Sequence, residues 1–220
     1  MNWSKYRLAD TLWRKGIGME YHLREYPDSV CSEYIRRRKV LPRDVVFPLM
    51  SKADLDDTFD VLREIVIEKF GAVQKNNLTC IQVRTGDVID YCKNHTVDDH
   101  LNNRITTDTC GIWDWAKPCH EYVKPIPYYE SKLGEINYDK IVIAGGGCSL
   151  SPRRGEESRS SEYMRKMADH FDAEIVDLNP DEMLHFSMCC ENLIGAGGAG
   201  KMIGSYYAEV LRHLRDDAKE

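Results

Sequence analysis

Apolar residues recur along this chain in two alternating rhythms, one helical and one extended. From Asp54 onward, Leu55, Phe59, Leu62, Val66 and Phe70 return at helical spacing. This predicts a helix with Asp54 as its N-cap and Gly71 closing it. Residues 78–84 then read as a buried strand, with Ile81 and Val83 on one side and Cys80 on the other. A short helix is predicted from Pro125 to Leu133, and a second buried strand from Tyr138 to Gly145. Ser160 to Phe171 reads as a helix with Tyr163, Met164, Met167 and Phe171 inward. A third strand follows at Ala173–Leu178, a helix at Asp181–Cys190 and a fourth strand at Asn192–Ile194. Met202 to Leu214 closes the pattern as a helix with Ile203, Tyr207, Val210, Leu211 and Leu214 inward. Strands alternating with helices in this way predict an α/β fold, Rossmann-like, with a mostly parallel sheet and helices on both faces.

Two stretches lack a clear period. Residues 1–50 carry scattered aromatics (Trp3, Tyr6, Trp13, Tyr21, Tyr26, Tyr34) among many charges. Residues 91–126 hold two tryptophans, three cysteines and three histidines, and read as a long functional loop or insertion. The expected organisation is a helical N-terminal region over 1–75, then a Rossmann-like domain over 76–220 with the insertion at 91–126. Cys189-Cys190 reads as buried helix packing.

Composition narrows the function classes. The 220 residues carry 42% hydrophobic and 30% charged side chains, enough for a sizeable core. The net charge of −6 argues against a broad nucleic-acid interface, which needs a basic face. The basic run Tyr34-Ile-Arg-Arg-Arg-Lys39 is local and reads first as a solvated helix face, second as a ligand patch. No run of 18 apolar residues is present, so no membrane span is expected. Met1-Asn-Trp-Ser-Lys-Tyr-Arg lacks the apolar core of a signal peptide. The expectation is a cytoplasmic protein whose eight cysteines are thiols.

Two segments look built for phosphate. Leu78 to Asp87 delivers Arg84 and Asp87 just past a buried strand, with Gly86 between them for close approach. A structural salt bridge is the alternative reading of the pair. Asn192 to Lys201 reads as a strand, a glycine turn and a helix start, whose backbone N–H groups would face an anion. A plain tight turn is its alternative. Gly195 to Lys201 spells nearly a Walker A loop, but Met202 stands where Ser or Thr would hold Mg²⁺. Gly145-Gly-Gly147 also follows a strand and reads equally well as a loop. Cys92, His95, His100, Cys110, Cys119 and His120 are potential zinc ligands, at spacings that fit no zinc module cleanly.

In order and spacing these motifs resemble one family. Ile81-Gln-Val-Arg-Thr-Gly-Asp87 resembles the H-x-R-R-x-D motif of the α-1,2-, α-1,6- and protein O-fucosyltransferase superfamily. Tyr128-Tyr-Glu-Ser-Lys-Leu133 resembles the Tyr-Tyr helix before that family's next strand, and Lys140-Ile-Val-Ile-Ala-Gly145 stands where that strand belongs. Asp181 to Ile194 resembles its acidic residue, short helix and buried strand, and Gly195-Ala-Gly-Gly-Ala-Gly200 replaces its Ser/Thr-rich phosphate turn. The likeness covers roughly residues 76–215 and departs at Gln82, Thr85 and the turn itself.

The resemblance implies the donor-binding half of a GT-B glycosyltransferase. It places Gln82, Arg84, Gly86, Asp181, Glu182, Gly195, Gly197, Gly198, Ala199 and Gly200 against the donor. Arg84 would contact the donor diphosphate. The expected reaction is inverting transfer of a fucose-like deoxyhexose from a GDP- or UDP-sugar to a glycan acceptor, with rhamnosyl or other deoxysugar transfer as variants. Arg84, Asp87 and Asp90 are the candidate catalytic residues, with Asp87 and Asp90 the nearest candidates for general base and His95 or His120 of the insertion further ones. Trp113, Trp115 and His120 are candidates for the acceptor side. No metal and no other cofactor is expected, because no Asp-x-Asp motif stands at a strand end. Two rivals remain: a non-catalytic nucleotide- or sugar-binding module on the same fold, and a zinc-stapled interaction domain centred on residues 92–120.

Overall fold

A computed structural model gives the fold and describes residues 23–24, 27–39, 52–85, 87–90, 92, 95–105, 123–145, 158–178 and 180–195. In chain order the elements are α1 (Val30–Arg38), α2 (Lys52–Phe70), β1 (Asn76–Val83), α3 (Asp87–Asp90), α4 (Val97–Leu101) and α5 (Ile126–Leu133). They continue with β2 (Lys140–Gly145), α6 (Arg159–Phe171), β3 (Glu174–Val176), α7 (Pro180–Cys189) and β4 (Cys190–Gly195). The four strands make one all-parallel sheet in the order β3-β2-β1-β4. The fold is α/β and Rossmann-like.

The chain divides into two units. One holds the sheet with α3, α4, α5 and α6. The other holds α1, α2 and α7, so α7 leaves the sheet's unit although it lies between two of its strands in sequence.

Within the sheet unit, β1 is buried on both sides of its pleat. Ile81 and Val83 face one way, and Cys80, with no exposed surface, faces the other. Ile81, Val83, Ile141, Ile143 and Ile194 meet Val97 and Leu101 of α4, Tyr129 and Leu133 of α5, and Tyr163, Met164 and Met167 of α6 in one continuous core. Burying each such aliphatic or methionine side chain is worth about 1.5–3 kcal/mol. The helices begin where the sequence supplies an oxygen for the orphan N–H groups. Ser158 caps α6 by accepting from Ser161 N, and Thr96 and Asp99 form a reciprocal capping box at α4.

In the other unit α2 packs against both α1 and α7. Leu62, Ile65 and Val66 of α2, Tyr34 and Ile35 of α1, and Met183, Leu184 and Met188 of α7 are all buried. Gly71 ends α2 at φ 95°, its N–H bonded to Ile67 O at 2.8 Å, a backbone state that a side chain resists. The basic run splits as helical geometry requires. Tyr34 and Ile35 turn inward, while Arg36 and Arg37 pair with Glu33, and Arg37 also with Glu68.

Several expectations shift. The helix expected to start at Asp54 begins at Lys52, so Asp54 lies inside it rather than capping it. Residues 97–101, expected as loop, form α4, because the Thr96–Asp99 box can nucleate a turn that five residues of periodicity cannot announce. Cys190 is a buried strand residue of β4, not helix packing, because α7 hands over directly to β4 at that position. The expected helix at 202–214 and the loop at Gly146–Gly147 lie outside the described residues.

Met167 has no exposed surface and sits in the core between α6 and the sheet. Met167→Ala should destabilise the protein by about 2–5 kcal/mol, read as a lower urea midpoint with an unchanged slope. A loss below about 1 kcal/mol would mean that α6 does not seat on the sheet in this way.

Candidate functional site

The sheet order sets where a ligand would sit. The chain runs from β1 outward through β2 to β3, then places β4 on the opposite side of β1. Strand order therefore reverses between β1 and β4. In open α/β sheets such a switch point leaves a crevice at the carboxyl ends of the strands, where ligands bind. Gln82 of β1 is the register partner of Gly195, the last residue of β4. Arg84 leaves the sheet two residues after Gln82, so it and the exit of β4 share one end of the sheet. Gln82, Arg84 and Gly195 are half-buried, and Thr85 is fully buried behind them. Tyr128 of α5 reaches the same place, its hydroxyl donating to Gly195 O at 3.2 Å. In sequence Tyr128 carries no functional weight of its own; its signal is its place in the Tyr-Tyr helix.

Past this end of β1, Asp90 is bonded to the start of α6. Its Oδ1 accepts Ser160 N at 2.8 Å, in the first turn of α6. A carboxylate there satisfies an orphan N–H and sits at the positive end of the helix dipole. Arg159 donates to the carbonyl of His95. His100 of α4 is 1% exposed, with neither ring nitrogen hydrogen-bonded and the His95 ring edge-on at 6.3 Å. Burial, helped by the charges of Arg159 and His95, lowers its pKa from 6.5 to about 4, and Asp99 opposes this. His100 is therefore held neutral.

The other candidates fall elsewhere. Asp181 and Glu182 lie on α7, in the helical unit. Asp181 is buried, and its Oδ2 accepts Val30 N at 2.9 Å, capping the start of α1 alongside Ser29. Burial raises the Asp181 carboxyl above its ordinary pKa, against the pull of the Val30 bond. Gly86, Gly197, Gly198, Ala199, Gly200, Trp113, Trp115 and His120 lie outside the described residues, as do Cys110 and Cys119. For Asp87 the structure describes the backbone, as the first residue of α3. Cys92 is buried in the core of the sheet unit. Among the described residues no group of three or more His, Cys, Asp or Glu gathers to hold a metal ion. No described helix is long and apolar enough to cross a membrane.

Comparison of the chain with protein families, curated proteins and solved structures found no match.

His100 gives the fold a pH dependence whose sign follows from its depressed pKa. Below pH 6.5 the unfolded chain takes up a proton that the folded one refuses, until about pH 4. The contribution is thus complete above pH 6.5 and drains away as pH falls toward 4. Urea unfolding at pH 7.5 and pH 5 should show wild type losing roughly 2 kcal/mol more than His100→Leu. Equal losses in the two proteins would mean that His100 is accessible and ordinary.

Proposed function

We propose that this protein is a glycosyltransferase that moves a fucose-like deoxyhexose from a GDP- or UDP-sugar to a glycan acceptor. The observation that carries the reading is the register Gln82–Gly195 at the switch point of the parallel sheet. It supports a site in which Arg84 and the glycine turn that follows β4 in sequence flank one diphosphate. Arg84 offers a planar, permanently charged fork for phosphate oxygens. The turn offers backbone N–H groups.

In this reading the bond between the sugar C1 and the diphosphate oxygen breaks while the acceptor hydroxyl oxygen bonds C1 from the opposite face. The leaving diphosphate carries away the electron pair, and Arg84 stabilises the charge as it develops. The acceptor proton passes to a carboxylate. Asp87 is the candidate for that role, since Asp90 already holds the N-terminus of α6. Action in the cytoplasm belongs to the same proposal.

A second reading, a nucleotide-binding module without transfer activity, is favoured by one observation: Asp90, one of the two nearest candidate bases, is bonded as a helix cap. Turnover with a panel of acceptors separates the two readings once nucleotide binding is established.

A thermal-shift panel of GDP, UDP, dTDP and their sugars should raise the melting temperature with at least one of them. Arg84→Ala should then weaken that nucleoside diphosphate at least about ten-fold by calorimetry, as expected for a lost charged hydrogen bond. Unchanged affinity in the variant would remove Arg84 from the site. Transfer activity, once found, should persist in EDTA. Activity abolished by the chelator and restored by Mn²⁺ would overturn the metal-independent part of the reading.

A further inference from the structure

A buried carboxylate holds part of the helical unit together. Asp181, in the first turn of α7, is 7% exposed, and its Oδ2 accepts Val30 N at 2.9 Å. Ser29, also buried, completes the hold on the first turn of α1. Its Oγ accepts Ser32 N at 3.0 Å and its carbonyl accepts Glu33 N at 3.1 Å. Past that turn α1 is held differently, by buried Tyr34 and Ile35 and by Arg37 bonded to Glu68 of α2. Through Asp181, then, α7 grips only the start of α1.

The surroundings of Asp181 support its charge weakly. From α1 it receives the Val30 N–H. From α2, Lys69 favours the negative charge, acting through space and not as an ion pair, and within α7 the neighbouring Glu182 opposes it. Glu33, the acid in the first turn of α1, is bonded to Arg36 and Arg37. A carboxylate taken out of water needs several donors or a close cation to offset its lost hydration. One N–H and a lysine acting through space are less than that. Burial therefore prevails, and the carboxyl holds its proton more firmly folded than free.

We propose that Asp181 is a proton-operated latch on α1, gripping more tightly when its carboxyl is protonated. A protonated carboxyl still offers its carbonyl oxygen to Val30 N, and the cost of the buried charge is gone. By linkage, the closed protein binds this proton more tightly than a state in which α1 has let go and Asp181 meets water at its ordinary 3.8. The latch is weakest at neutral pH and tightens as pH falls through the folded pKa toward 3.8. His100 has the opposite sign, its contribution draining away in acid. The latch stands apart from the proposed transfer reaction, since Asp181 belongs to the helical unit.

The test compares the full chain as wild type and as Asp181→Asn, whose amide keeps a carbonyl for Val30 N and cannot ionise. Urea unfolding, and hydrogen exchange at Val30, Ser32 and Glu33 corrected for intrinsic rates, are measured at pH 7.5 and pH 4.5. At pH 7.5 the variant should be at least as stable as wild type, with exchange at these amides at least about two-fold slower. At pH 4.5 wild type should approach the variant. Taking the difference between the two proteins at each pH cancels His100 and the other groups that they share. A variant less stable than wild type at pH 7.5, or one that fails to fold, would mean that the ionised carboxylate stabilises the fold, and would overturn the proposal. A difference that is absent at both pH values, or that widens in acid, would overturn it as well.

Discussion

The structure turns on β1 being hydrogen-bonded along both edges and buried on both faces. Through β2 it carries β3; through β4 it defines the crevice. A strand in that position accepts a polar side chain in its middle only with a partner: Thr79, without exposed surface, accepts from Asn192 Nδ2 at 3.1 Å, and Cys80 and Ile81 beside it have no exposed surface either. Past Ile81, polar side chains return at the carboxyl end, with half-buried Gln82 and then Arg84. The change from apolar to charged within three residues marks where β1 leaves the core. Breaking the run earlier would cost the sheet its middle, and delaying it would carry the arginine beyond the crevice.

Much of the sheet unit was legible from the pattern of side chains alone. The period-two and near-continuous apolar runs at 78–83 and 140–145 are what double burial demands, so β1 and β2 announce themselves. The 3.6-residue period of Tyr163, Met164 and Met167 likewise announces α6, because a helix lying on a sheet shows one apolar stripe. Shorter elements are harder to read. The strand β3 spans three residues, two of them exposed, so its pattern carries almost no information. The helix α4 depends on a capping box rather than a stripe. The grouping of α7 with α1 and α2 is a tertiary fact, and local sequence has no way to express it.

In the candidate site, Arg84 and Gly195 stand out in sequence because a charge or a glycine directly after a buried run is rare without a reason. The bonding of the acidic residues does not. Asp90 and Asp181 look alike in sequence as candidate chemistry, yet each accepts a backbone N–H at the start of a helix distant in the chain, from Ser160 and from Val30. A carboxylate serving a remote N-terminus leaves no local trace, because its partner is set by packing and not by spacing. Tyr128 escaped notice for the same reason in reverse. Its ring reads as ordinary half-buried packing, and only its reach to a carbonyl on another element gives it meaning.

The shortness of β3 has a consequence beyond the site. Among the described residues it is the outermost strand on its side of the sheet, so one row of its backbone groups has no described strand beside it. Such a border invites another molecule's strand to join. Here it is only three residues long, it opens with Glu174 paired to Lys140 at 2.8 Å, and it follows Asp172 in a left-handed backbone turn. Few residues, a fixed charge and a bend are the means by which proteins discourage intermolecular sheet growth. Ile175, 45% exposed on that border, is tolerable for this reason. With a longer and uncharged β3 the same isoleucine would become the seed of an aggregate.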